Sequence, residues 1–393
     1  MRLSIKDYKN VHFSSNIIAL YLNRLLLQIA FNVVGIFLVI FFFIEFDKSV
    51  NAVIAIFVAI YLGHGLLTPL GAQLLKSWGM KRMMMIAMPF ALLATFSLLF
   101  WDKNPIVSLT FYLVFIVIYK VLYWIPYHVD FAKFTNKRTR GRQISVLKNA
   151  SQLILMASPF LGGAIIVFFG FNSLFLLSTF IFATALFPLF FVERTEEEFT
   201  FGYFETFRKL FLKKHRALLL ACVGDGAQSV VTAVIWPIFI FLLLKGEFLS
   251  VGIISSLTIL LLIVFRFFVG DLIDTWSKRK VLTIGSIVYT SGWIIKIFIE
   301  TALQIFIIDT YHKAGSVINR TSFDVALYEQ AVDNGHFIDE YTVLKEISIN
   351  IGRAGMLIVA GVLIGIFGIK AAFIMAAFAT LFMTMLNRKV SVE

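Results

Sequence analysis

The sequence predicts an all-α membrane protein: twelve transmembrane helices in two six-helix pseudo-repeats around a central cavity. Three observations predict it. The first is composition: of 393 residues, 60% are hydrophobic and 15% charged, with a mean hydropathy of +0.89. Soluble domains carry about 45–50% apolar and about 25% charged residues. Forty-four phenylalanines are too many for one water-soluble core. The second is the spacing of polar breaks, which cut the chain into long apolar runs. The third is an echo of the first half in the second.

A membrane-crossing helix needs about 20 largely apolar residues. Twelve runs qualify: 15–44, 50–75, 80–100, 106–131, 143–169, 173–192, 217–244, 250–270, 280–299, 302–328, 344–367 and 370–387. Residues 1–14 are basic, with Arg2, Lys6 and Lys9. The run behind them is longer than a signal-peptide core and no small-residue cleavage site follows, so it reads as an uncleaved first span. The longest break, 193–216, divides the spans six and six. It gives an N-terminal bundle (1–192), a linker (193–216) and a C-terminal bundle (217–393). The linker's stretch around Arg208, Lys209, Lys213, Lys214 and Arg216 carries Phe residues and predicts an amphipathic helix on the membrane surface.

The net charge of +12 has an address. With the N-terminus inside, the inner tails and loops hold 23 of the 35 Lys and Arg, including Lys76, Lys81, Arg82, Arg138, Arg142 and Lys280. The outer loops hold only Lys48, Lys103, Lys245 and Lys370. The positive-inside rule therefore places both termini in the cytoplasm and accounts for the basic balance without nucleic acid. The single Cys222 lies in an apolar run, which leaves neither a disulfide framework nor Cys/His metal spacing.

The halves correspond at an offset near 197 residues. Asp130 and Ala132 match Asp324 and Ala326; Val146-Leu147-Lys148 matches Val343-Leu344-Lys345; Lys81-Arg82 matches Arg279-Lys280. Paired six-helix halves are a known repeat plan of secondary transporters.

Gly270-Asp271-Leu272-Ile273-Asp274-Thr275-Trp276-Ser277-Lys278-Arg279-Lys280 resembles the cytoplasmic-loop signature of the major facilitator superfamily, G-x-x-x-D-(R/K)-x-G-(R/K)-(R/K). The first-half copy keeps Gly71, Gly79, Lys81 and Arg82, but Leu75 and Lys76 stand where an acid is expected. Asp130 ahead of Arg138-Thr139-Arg140-Gly141-Arg142 looks like the family's acid-then-Arg-Gly pattern. Ser158-Pro159-Phe160-Leu161-Gly162-Gly163 is similar to the end of the proline-glycine motif of its drug–proton antiporters, with Ser158 in place of a Gly. The resemblance implies a cytoplasmic gate at Asp130, Arg140, Arg266, Gly270, Asp274, Arg279 and Asp324. Such an acid at a helix end can pair with a basic group or a helix N-terminus and hold the inner side shut. It also implies that spans 1, 4, 7 and 10 line the cavity.

Ionisable and polar groups inside spans cost free energy in lipid, so each is a functional candidate. Arg24, Gln28 and Asn32 recur every fourth residue and form one polar stripe on the first span. Lys120 lies beside Tyr123 and Trp124, an arrangement suited to an anion or to stacked rings. Gln152, Gln228, Asp309, Lys313, Asn350 and Arg353 complete the cavity candidates. Asp225, Asp309 and His64 are the proton-coupling candidates. Structural alternatives stand beside these: Arg24 as the ion-pair partner of Asp225, Asp309 and Lys313 neutralising each other at i,i+4, and His64 as a packed core histidine.

The expected function is secondary transport of a small organic solute by alternating access, with proton-driven export preferred. Transport of an organic anion or lipid-like solute is the alternative, and a non-transporting receptor of the same fold the remote one. No catalytic or nucleotide-binding motif occurs, so neither enzymatic activity nor a cofactor is expected, and the proton gradient supplies the drive. The expected partners are the bilayer and the solute. One chain suffices, in a bacterial inner membrane.

Overall fold

A computed structural model describes residues 15–134, 140–193, 199–275, 278–333 and 338–383; the side chains of 128–150, 153, 214, 266–280, 282, 321–322 and 324–339 fall outside that description. Among the described residues the chain is helical, with no strand. The helices are α1 (Ser15–Glu45), α2 (Val50–Trp78), α3 (Met80–Ser97), α4 (Pro105–Phe134), α5 (Arg140–Ala185), α6 (Tyr203–Leu210), α7 (Arg216–Val230), α8 (Trp236–Leu243), α9 (Phe248–Thr275), α10 (Lys278–Ile295), α11 (Ala302–Asp333), α12 (Ile338–Phe367) and α13 (Ala371–Phe382). Among the described residues, eight stretches are long and apolar enough to cross a membrane, and Thr283–Phe298 and Ala371–Phe382 are shorter apolar helices.

Local chemistry sets the boundaries. Ser49 caps α2, its hydroxyl accepting from the Ala52 N–H. Gly79 ends α2 at φ 66°, a left-handed backbone that glycine adopts without Cβ strain. Gly170, at φ 78°, breaks α5 into two arms, near the polar break read between the fifth and sixth runs. α7 and α8 are one long rod interrupted by a π-helical turn over Val231–Ile235. The linker forms α6, where Lys209 Nζ meets Glu205 Oε1 at 2.9 Å. That hydrogen bond holds the exposed Glu205 carboxyl below the usual carboxylate range.

Large apolar side chains face outward, among them Phe168, Phe169, Phe180, Val362 and Phe378. This suits a lipid surround, which leaves polar groups as the ones to be packed inside. Within each half, α1 packs on α5, α3 on α4, α7 on α12 and α10 on α11. The halves meet through α5 against α9 and α2 against α12. Glycine makes these contacts possible. A Cβ on Gly252 would meet the Pro159 carbonyl oxygen at 2.5 Å, and one on Gly163 the Phe248 carbonyl oxygen at 2.7 Å. The Phe160 N–H donates to Ser256 Oγ at 3.0 Å across the same seam. On the other seam, a Cβ on Gly65 would meet Asn350 Cβ at 3.2 Å and one on Gly361 would meet Asn51 Oδ1 at 3.3 Å. Phe248, Gly163 and Asn51 all lie toward the helix ends opposite the basic loops.

Candidate functional site

The polar stripe of α1 splits. Asn23, wholly buried, donates from Nδ2 to the Ala185 carbonyl at 2.6 Å and accepts from the Tyr123 hydroxyl at 2.7 Å. Tyr123 thus belongs to helix packing rather than to an open cavity wall. Asn32 spends its amide on the Gln28 backbone carbonyl, 2.7 Å away and one turn back. Arg24 lays its guanidinium over two rings, with Cζ 4.7 Å from the Trp124 centroid and 4.5 Å from that of Tyr127. It is not the partner of Asp225. That correction has a simple cause: α11 supplies a nearer cation, and Arg320 Nη2 sits 2.9 Å from Asp225 Oδ1.

Asp225 also accepts from Gln228 Nε2 at 3.0 Å, and Gln228 in turn accepts from the Tyr289 hydroxyl. Gln228 is consequently sealed in this network rather than facing solute. The network lies on α7 immediately before the π turn, a distortion frequent at functional sites.

Asp309 pairs with Lys313 at 2.8 Å, as the i,i+4 spacing allows, but a second cation joins it: Lys296 Nζ, 2.9 Å away. Lys296 is fully buried, its ammonium 3.6 Å from the Trp236 centroid and 4.7 Å from that of Trp293. Asp309 is likewise buried among the C-terminal helices, with Lys313 reaching from it toward the partly exposed side. His312, between Asp309 and Lys313, packs against the rings of Tyr289 and Trp293.

A different arrangement joins the halves. Tyr61 on α2 carries Lys120 Nζ of α4 5.9 Å from its ring centroid and Arg353 Cζ of α12 at 5.2 Å. Neither cation has a carboxylate within ion-pair distance among the described residues, although Glu346 on α12 attracts Lys120 through space. His64 and Asn350 are buried at the crossing beside them. His64 offers two ring nitrogens with no hydrogen-bond partner among the described residues. Gln152 is half-buried on α5.

The gate residues Asp130, Arg140, Arg266, Gly270, Asp274, Arg279 and Asp324 have side chains outside the described set. Lys296, Arg320 and Tyr61 are the groups that sequence reasoning missed. Arg320 had a signal, since it follows Lys313 by seven residues, two turns along the same helix face. Lys296 had only its presence in an apolar run; its partner lies across the α10–α11 hairpin.

Long apolar helices packed around buried charges define a multi-pass integral membrane protein. Residues 20–312 match the family model described as Major Facilitator Superfamily. The chain belongs to that superfamily; it is a membrane transporter and not an enzyme. No curated protein matches it.

Proposed function

We propose that this transporter carries an organic anion by alternating access, its twelve helices crossing the membrane and the proton gradient driving the cycle. The observation that supports this is the convergence of Lys120 and Arg353, one from each half, on Tyr61. Asp225 and Asp309 are matched by cations, whereas these two cations are left to attract a solute. A cation desolvated against an aromatic face retains only about 2 kcal/mol of compensation, so an incoming carboxylate gains by joining it. In liposomes containing the purified chain, Lys120→Gln and Arg353→Gln are each expected to lower counterflow of organic monoanions by at least about tenfold, the factor set by losing a hydrogen bond to a charged group. Flux of neutral or cationic solutes should be spared. Equal loss for all three charge classes would refute the anion reading.

Proton-driven export of a cation retains one supporting observation: Asp225 and Arg320 form a charge pair beside the π turn, and Arg320 is 47% exposed. Protonation of Asp225 would release Arg320. If that pair couples transport to protons, Asp225→Asn should make efflux of a lipophilic cation insensitive to a protonophore. Unchanged sensitivity would remove Asp225 from the coupling path.

A further inference from the structure

Behind Lys120 the N-terminal helices enclose a cavity of about 160 Å³. It lies where α1 departs from helical geometry at Gly35, itself a lining residue. Its walls include Phe31, Val34, Phe57, Ile60 and Phe182. Two wall hydroxyls are already engaged: Thr95 with Thr179 at 2.9 Å, and Ser178 with the Ala30 carbonyl at 3.2 Å. The one charged residue on the wall is Lys120, and Tyr61, the ring it shares with Arg353, lines the cavity too.

We propose that this cavity is the tail subsite of the anionic substrate, which is a monoanion bearing one aromatic ring or an apolar group of similar bulk, its headgroup at Lys120. The proposal rests on the anion reading above and adds a size and a polarity to it. Size follows from volume: an apolar protein cavity of about 150 Å³ holds benzene. Polarity follows from the walls, which offer dispersion contacts to a tail and an ammonium to a head. The tail walls themselves carry no cation besides Lys120, with Arg353 outside the cavity on the shared Tyr61 ring, so a charge at the tail end would go unmatched, and a long acyl chain would outrun the space.

The test uses the full chain purified in detergent, with calorimetric binding of benzoate, benzamide, acetate and palmitate, and counterflow of the same anions in liposomes. Benzoate should bind at least about tenfold more tightly than acetate, the discrimination an apolar pocket gives for a missing hydrocarbon group. Benzamide, with the ring but not the charge, should bind weakly. Ala91→Leu, which fills the cavity from α3, should weaken benzoate binding by about tenfold or more and acetate binding by much less, so that the preference for benzoate shrinks. Phe182→Ala enlarges the cavity and should gain binding of 2-naphthoate; this gain of function protects the test against a variant that merely folds poorly. Equal binding of benzoate and acetate overturns the proposal, as does benzamide matching benzoate or palmitate binding best of all. If Lys120→Gln stops anion flux while neither cavity variant alters ligand preference, the subsite falls and the anion reading stands. If wild type carries no organic anion, the anion reading falls, and the binding series still decides the cavity: absence of benzoate binding overturns it.

Discussion

Replacing Asp309 by asparagine is expected to cost about 3–5 kcal/mol of stability, the range for stranding a buried charge by removing its partner. The carboxylate holds Lys296 at 2.9 Å and Lys313 at 2.8 Å. The two lysines differ in what they can do without it. Lys313 has a side chain 27% exposed and can turn its head toward water. Lys296 is fully buried, and the faces of Trp236 and Trp293 are what it keeps beside it to soften its charge. Those faces return about 2 kcal/mol, against a desolvation penalty of several kcal/mol per ion. The loss should appear as a lower melting temperature and a smaller monodisperse fraction of the detergent-solubilised protein. Adding Lys296→Met to Asp309→Asn should recover part of it, because the stranded cation is then gone. A single variant that melts with the wild type would show that the triad carries no stabilising role.

Gly226→Leu is expected to prevent folding. α7 and α12 cross with their backbones in contact: a Cβ on Gly226 would run into the Ile349 carbonyl, and one on Gly352 into the Val223 carbonyl. Small residues are what permit helices in lipid to approach this closely. A carbonyl fixed in a helix has no alternative rotamer, so the helices themselves must separate. The cost exceeds the roughly 1–3 kcal/mol typical of overpacking among side chains. Gly355 supplies the control, since its Cβ would meet nothing within 4 Å. On expression as fluorescent fusions, Gly226→Leu should give aggregate and Gly355→Ala a normal monodisperse peak. Normal peaks from both would show that the two backbones do not touch at this crossing.

Helices were the most legible part of the sequence, because a run of apolar residues in lipid leaves the backbone few ways to satisfy itself. The boundary at Gly170 and the start of α2 at Ser49 fell near the polar breaks. The π turn at Val231–Ile235 left no mark: Val230, Val231 and Val234 fit any buried helix equally well. The individual candidates Lys120 and Arg353 were legible from their cost in a span, but their shared ring, Tyr61, was not, because a tyrosine in an apolar run carries no such cost. Pairings were the least legible. Depth in the span offered Arg24 as the cation for Asp225, and only tertiary packing selects Arg320 instead.

The seams between the halves have a consequence for how the halves can part. Where Gly252 abuts Pro159 and Gly163 abuts Phe248, main chain rests on main chain. A door built from side chains can swing on its rotamers while its frame stays put. These contacts have no side chain to swing, so any parting of the halves along this seam moves α5 and α9 as bodies rather than by a change of rotamer.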